Sequence, residues 1–83
     1  MKTINQLSEK SFLFYYDVIE NEIKQCPVEI DTRDNQGNIE TLVIPYVAKI
    51  KVNSEDLHKS SIRHERITFY TTYEECFKIS FKL

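Results

Sequence analysis

A single glycine stands in this 83-residue chain, and it closes the stretch Asp34-Asn35-Gln36-Gly37. The stretch suits a type I turn followed by a left-handed residue, a position that glycine takes without a Cβ penalty. If Arg33 faces Ile39 across that turn, paired residue numbers sum to 72 and even positions meet even positions. Val28, Ile30, Leu42 and Ile44 then share one face, while Glu29 and Asp31 point away. The same parity runs on through Tyr46, Ala48, Ile50 and Val52, with Lys49 and Lys51 outward. One apolar and one polar face is the pattern of an antiparallel sheet covered on one side.

Pro45 interrupts the long apolar alternation. Lacking an N–H, it marks an edge or bulge where pairing partners change. Residues 39–44 are therefore expected to pair backward with 28–33, and residues 46–52 forward with "ITFYTTY", Ile67 to Tyr73. The last segment, "FKISFKL", alternates without error: Phe77, Ile79, Phe81 and Leu83 against Lys78, Ser80 and Lys82. A short turn at Glu74–Cys76 would join these strands with pairs summing to 150, matching Ile67 with Leu83 and Phe69 with Phe81. Between the hairpins, Ser54 is placed to cap a short helical turn, with Glu55 and Asp56 at its positive end.

The first segment reads as a helix over residues 4–25. Thr3 with Gln6 fits a capping box, and Ile4, Leu7, Tyr15, Val18, Ile19 and Cys26 fall on one side of a 3.6-residue period. Glu20 and Lys24 are spaced for an i,i+4 ion pair, and Pro27 ends the element. A strand at "FLFYYDVI" competes, because five consecutive apolar residues hide any period. On the helix reading Phe12, Phe14, Tyr16 and Ile23 widen the apolar arc to about 200°, against the roughly 100° needed to dock on one sheet. Leu13 falls on the opposite, polar side. The expected architecture is α+β: one N-terminal helix packed on a four-stranded antiparallel sheet made of two hairpins (α-β-β-β-β), forming a single domain over residues 1–83.

Composition excludes several chemistries. Phosphate-cradling loops and strained nucleophile turns need several glycines, so nucleotide-binding loops of that kind are not expected. A net charge of −2, with acids and bases spread evenly, lacks the basic stripe of a nucleic-acid binder. The start "MKTINQL" has no apolar core of a signal peptide, and no run approaches the roughly 20 apolar residues of a membrane span, so a cytoplasmic location is expected. Cys26 and Cys76, fifty positions apart, read as buried free thiols of a reducing compartment.

Both histidines lie in "LHKSSIRHER", Leu57 to Arg66. His58 and His64 are six apart, which fits neither a helical zinc pair nor a four-ligand finger, so no metal and no cofactor are expected. Lys59 and His58 suit the end of a helical turn. Arg63, His64 and Arg66 lead into an aromatic strand from which Tyr70 is expected to point outward. Cations beside an exposed aromatic are the elements of a single-strand nucleic-acid platform, or of a contact for an acidic protein. The adjacent Glu74 and Glu75 lack the separation that catalytic carboxylates need across a cleft. Phe12, Leu13 and Tyr16, surplus on the helix, are interface candidates, since interfaces favour aromatics.

No stretch carries the motif of a named family. In overall character, rich in Lys, Ile and Asn with one glycine, the chain resembles small single-domain proteins of AT-rich phages and mobile elements. Many of these are inhibitors or accessory factors that bind a larger host protein, including anti-CRISPR proteins and antitoxins. That resemblance implies a non-enzymatic protein-binding module whose partner is a larger protein or a second copy of itself, with no membrane involved. The alternative is a nucleic-acid-binding accessory module using Lys59, Arg63, His64 and Arg66 of the basic loop 59–66. A third reading is a small enzyme built on Cys76 or a histidine.

Overall fold

The turn at Asp34–Gly37 forms as expected, with Gly37 at φ 83° and its N–H bonded to the Asp34 carbonyl at 3.0 Å. The computed structural model describes residues 2–81. Its elements are β1 (Phe12–Asp17), β2 (Glu22–Pro27), β3 (Glu29–Arg33), β4 (Ile39–Ile44), β5 (Ala48–Lys51), β6 (Ser61–His64), β7 (Ile67–Tyr70) and α1 (Tyr73–Ser80). Short 3₁₀ turns occupy Ile4–Gln6 and Ser54–Asp56. The class is α+β with antiparallel strands, in two sheets: a four-stranded sheet ordered β2-β1-β7-β6 and a three-stranded sheet ordered β3-β4-β5.

The β3–β4 register matches the parity argument, with Arg33 opposite Ile39, Ile30 opposite Leu42 and Glu29 opposite Val43. Thr32 pairs instead with Thr41, between two register shifts that cancel. One extra residue on each strand restores the register, and the shift at Glu40 turns Ile39 into the core despite its odd number. Leu42, Ile44, Ile50 and Val52 are buried as expected, and Glu29, Asp31, Lys49 and Lys51 face outward. Lys49 and Asp31 form an ion pair at 3.1 Å on that wet face.

Pro45 changes the pairing in a different way. It opens a tight turn, Ile44 to Val47, closed by a 2.9 Å bond from the Val47 N–H to the Ile44 carbonyl. Tyr46 in that turn has φ 65°. Proline at the second position and a left-handed residue at the third are the features of a type II turn. Hence β5 folds back on β4, with Ile44 opposite Ala48, and residues 46–52 do not pair forward with 67–73.

The N-terminal helix expected over residues 4–25 does not form. The Thr3–Gln6 box is present, with the Thr3 N–H bonded to Gln6 Oε1 at 2.9 Å, but it serves a single 3₁₀ turn. Phe12–Asp17 is a strand paired with β2. Leu13 and Tyr15 face the core shared with the second sheet, while Phe14 and Tyr16 meet α1 on the opposite face. A strand covered on both sides shows no alternation, which is why its apolar run concealed the period. The Glu20–Lys24 pair exists at 3.0 Å, but across the β1–β2 turn, where Lys24 also meets Asp17 at 3.1 Å. Asp17 Oδ1 accepts the N–H groups of Ile19 and Glu20, and Asn21 adopts φ 55° to complete the turn. The Glu20 N–H and the Lys24 ammonium hold the Asp17 carboxyl below its ordinary pKa.

At the other terminus the expected strand 77–83 is α1 over its described part, and no hairpin turn lies at Glu74–Cys76. Thr72 caps the helix, its hydroxyl accepting the Glu75 N–H at 3.2 Å, with Glu74 and Glu75 in the positive first turn. Lys82 and Leu83, and with them the proposed Ile67–Leu83 pair, lie outside the described residues. Phe69 pairs with Ile62 on β6, not with Phe81. The turn at Ser54 forms, capped one residue earlier by Asn53, whose N–H is bonded to Asp56 Oδ2 at 3.4 Å.

One buried cluster joins the inner faces of the two sheets: Leu13, Ile62 and Phe69 from the first, Leu42, Ile44 and Ile50 from the second. Ile4 and Leu7 close it from the N-terminal segment, and Val28 closes it where the chain passes from β2 to β3. Asn5 ties that segment to the second sheet. Its Nδ2–H donates to Asn38 Oδ1 at 2.9 Å, and its Oδ1 accepts the Ile39 N–H at 3.1 Å. Asn5→Ala would strand the N–H of buried Ile39, and should cost about 1–3 kcal/mol. A lowered urea midpoint with an unchanged slope is the expected result, whereas an unchanged midpoint would deny Asn5 that role.

Candidate functional site

Three surface features emerge from this fold. The first is aromatic. Because α1 is helical, Tyr73, Phe77 and Phe81 recur at i,i+4,i+8 and form a stripe along it. The α1 residue that sinks fully against the sheet is Cys76, a small residue that lets the helix approach closely. Tyr73 meets Phe14 edge-on at 6.2 Å between ring centroids, and Phe81 meets Tyr16 edge-on at 5.2 Å. Phe77 links its two neighbours, at 6.2 Å from Tyr73 and 5.1 Å from Phe81. The stripe remains half in water: Tyr73 is 52 % exposed, Phe77 49 % and Phe81 38 %. Phe12, 44 % exposed, extends the same face of β1. Such a run of adjoining exposed aromatics makes this face a candidate interface, since interfaces favour these residue types.

The second feature is the β4–β5 tip. Tyr46 is fully exposed and Val47 largely so. The β1–β2 tip shows the same trait in Val18 and Ile19. Sequence parity had put Tyr46 on the core face; the turn at Pro45 turns it outward.

The third is the basic stretch, which the fold does not assemble into one platform. Lys59 precedes β6 and pairs with Asp56 at 3.7 Å. Arg63, His64 and Arg66 gather at the far end of that strand, about 13 Å away for four extended residues. There the Arg63 Nε–H donates to the Glu65 carbonyl at 3.0 Å, and His64 Nε2 lies 4.0 Å from the Glu65 carboxylate. Arg66 borders a shallow groove beside Thr68, Tyr16 and Ser80, where β1 and β7 part after their one pairing, Phe14 with Tyr70. Tyr70 does not point outward. It is buried beneath α1, and burial, with the nearby Cys76 and Glu75, pushes its phenol pKa up. Tyr70 therefore offers no exposed ring on which a base could stack.

Of the sequence-derived candidates, Phe12 and Tyr16 thus join the aromatic face, Leu13 is a core residue at 0 % exposure, and the basic residues divide between two ends of β6. Sequence reasoning missed Tyr73, Phe77 and Phe81 as a stripe, although Thr72-x-x-Glu75 carries a capping-box pattern that announces a helix start. Burial raises the pKa of both thiols; Cys26 donates to the Leu13 carbonyl at 3.6 Å, and Cys76 sits 3.8 Å from the Ser80 hydroxyl. An activated thiolate needs the opposite shift. Among the described residues no group of three or more His, Cys, Asp or Glu could hold a metal ion, and no helix is long and apolar enough to cross a membrane. No family model, curated protein or solved structure matches the chain.

Proposed function

We propose that this protein is a non-enzymatic interaction module that occupies a surface of a larger protein, as an inhibitor or accessory factor of the phage or mobile-element type would. The observation that carries this reading is Tyr46. A tyrosine in the left-handed region costs roughly 1–2 kcal/mol that glycine would not incur. Its side chain, fully exposed, makes no return on that cost within the chain. Strain of this kind collects where a residue serves recognition, and tyrosine is among the side chains that dominate interface energetics. Proline at position 45 stiffens the turn and lowers the entropy lost on docking. The nucleic-acid alternative loses its stacking residue with the burial of Tyr70.

The test is co-purification from extract of the source cells, comparing the native chain with Tyr46→Gly. Glycine suits the backbone there, so the variant should keep its stability to within about 1 kcal/mol or gain slightly. Its hold on the partner should weaken by at least about 30-fold, the equivalent of a 2 kcal/mol anchor. No protein retained by the native chain at mild salt would refute the reading, and equal retention by the variant would remove Tyr46 from it.

A further inference from the structure

We infer that the aromatic stripe of α1 is the contact face of a symmetric dimer, its occupant being α1 of a second copy packed antiparallel. The stripe and the Tyr46 tip belong to different layers. α1 covers the outer face of the four-stranded sheet, and the three-stranded sheet covers the inner one. Self-association through α1 therefore leaves the Tyr46 tips free, and stands or falls independently of the proposed function.

Charge selects the occupant. Glu74 and Lys78 flank the stripe on one side and border the same shallow depression as Tyr73 and Phe77. Among the described residues neither takes part in an ion pair within the chain. The helix is acidic in its first turn, at Glu74 and Glu75, and basic in its last, at Lys78. A second α1 running the opposite way presents acid to base at both ends and opposes the helix dipoles favourably.

The register follows from the stripe. With a two-fold axis at Phe77, the two Phe77 rings meet and Tyr73 faces Phe81 of the other copy. An axis lying across two antiparallel helices keeps matching flanks on the same side. Glu74 then stands two residues, about 3 Å along the axis, from Lys78 of the second copy, within reach of both side chains. The contact is self-complementary, as an isologous interface must be.

Light scattering and sedimentation equilibrium from micromolar to millimolar concentration decide the matter. The native chain should approach twice its 9.9 kDa mass as concentration rises. Glu74→Lys and Lys78→Glu should each weaken association at least about tenfold, and the double exchange should restore it. Phe77→Asp should leave a monomer. A native chain that stays at monomer mass throughout overturns the inference, as does a double exchange no better than either single one. An association that Phe77→Asp does not disturb places the contact on another face and overturns it equally. Should Phe77→Asp lose its circular dichroism signal, the charge exchange decides alone, since both residues are exposed on the helix surface.

Discussion

Leu13→Asp should prevent folding, whereas Phe12→Asp, one position earlier, should leave the fold intact. Leu13 lies at 0 % exposure between the two sheets. Truncating such a leucine costs about 2–5 kcal/mol before any charge is considered. A carboxylate placed there has no partner in a cluster of aliphatic and aromatic side chains, and its desolvation adds several kcal/mol more. A domain of this size has roughly 4–12 kcal/mol of stability in total. Phe12 shows 44 % of its surface to water on the opposite face, so an aspartate there stays hydrated and should cost no more than about 1 kcal/mol.

The sign of the pH effect is also determined. Desolvation raises the folded-state pKa of an aspartate at position 13 above its unfolded value of about 3.9. The penalty is therefore smallest below about pH 4 and grows as pH rises through the folded pKa. Far-ultraviolet circular dichroism with urea titration, at low and neutral pH, checks both statements. A helix over residues 4–25 would reverse the outcome, with Leu13→Asp harmless on the polar side. A folded Leu13→Asp chain at neutral pH would thus restore that helix reading and discard the strand.

The same pair of residues shows what was legible in the sequence and what was not. Where one face is wet, parity carried most of the pattern, failing at Ile39 beside the Glu40 shift and at Tyr46 in the turn after Pro45. The β3–β4 register, the outward Glu29, Asp31, Lys49 and Lys51, and the buried Leu42, Ile44, Ile50 and Val52 all followed from alternation around one turn. Where a strand is covered on both sides, alternation carries no information, and Phe12–Tyr16 became a helix with surplus aromatics. Of the three residues read as surplus, Phe12 remains exposed and Tyr16 takes part in the aromatic face of α1, while Leu13 belongs to the core.

At residues 77–81 the opposite confusion arose. Phe77, Ile79 and Phe81 satisfy a period of two, but the helix sends Ile79 to the far side of Phe77 and Phe81, and Cys76 is the residue buried. Thr72-x-x-Glu75 could have decided the matter, because a capping box has no use in a strand. Leu13 inherits the facing of a helix that does not form, whereas Tyr70 lies on a strand that does form, and α1 covers the face that a one-sided sheet would leave to water.

Phe69→Ala should cost about 3–5 kcal/mol, most of what a domain this small has to lose. Phe69 is a large, fully buried side chain at 1 % exposure, and Tyr15 packs against it at 5.5 Å between ring centroids. Its neighbour across the β6–β7 pairing is Ile62, also buried. The cavity left by alanine would open at the joint between sheets, where thin flanking layers of a small domain have little material with which to collapse into it. Ile67→Ala, two positions earlier on the same strand, removes a side chain that is 40 % exposed and should cost well under half as much. Urea titration of the two variants separates them. Equal losses would mean that β7 does not present Phe69 inward, and the two-sheet core would fall with it. The functional consequence follows from where the layers sit. The α1 stripe rides on one sheet and the Tyr46 tip on the other, and the cluster containing Phe69 is the buried material that joins them. Loss of Phe69 should therefore weaken self-association and partner binding together, while Tyr46→Gly and Phe77→Asp each remove one and spare the other.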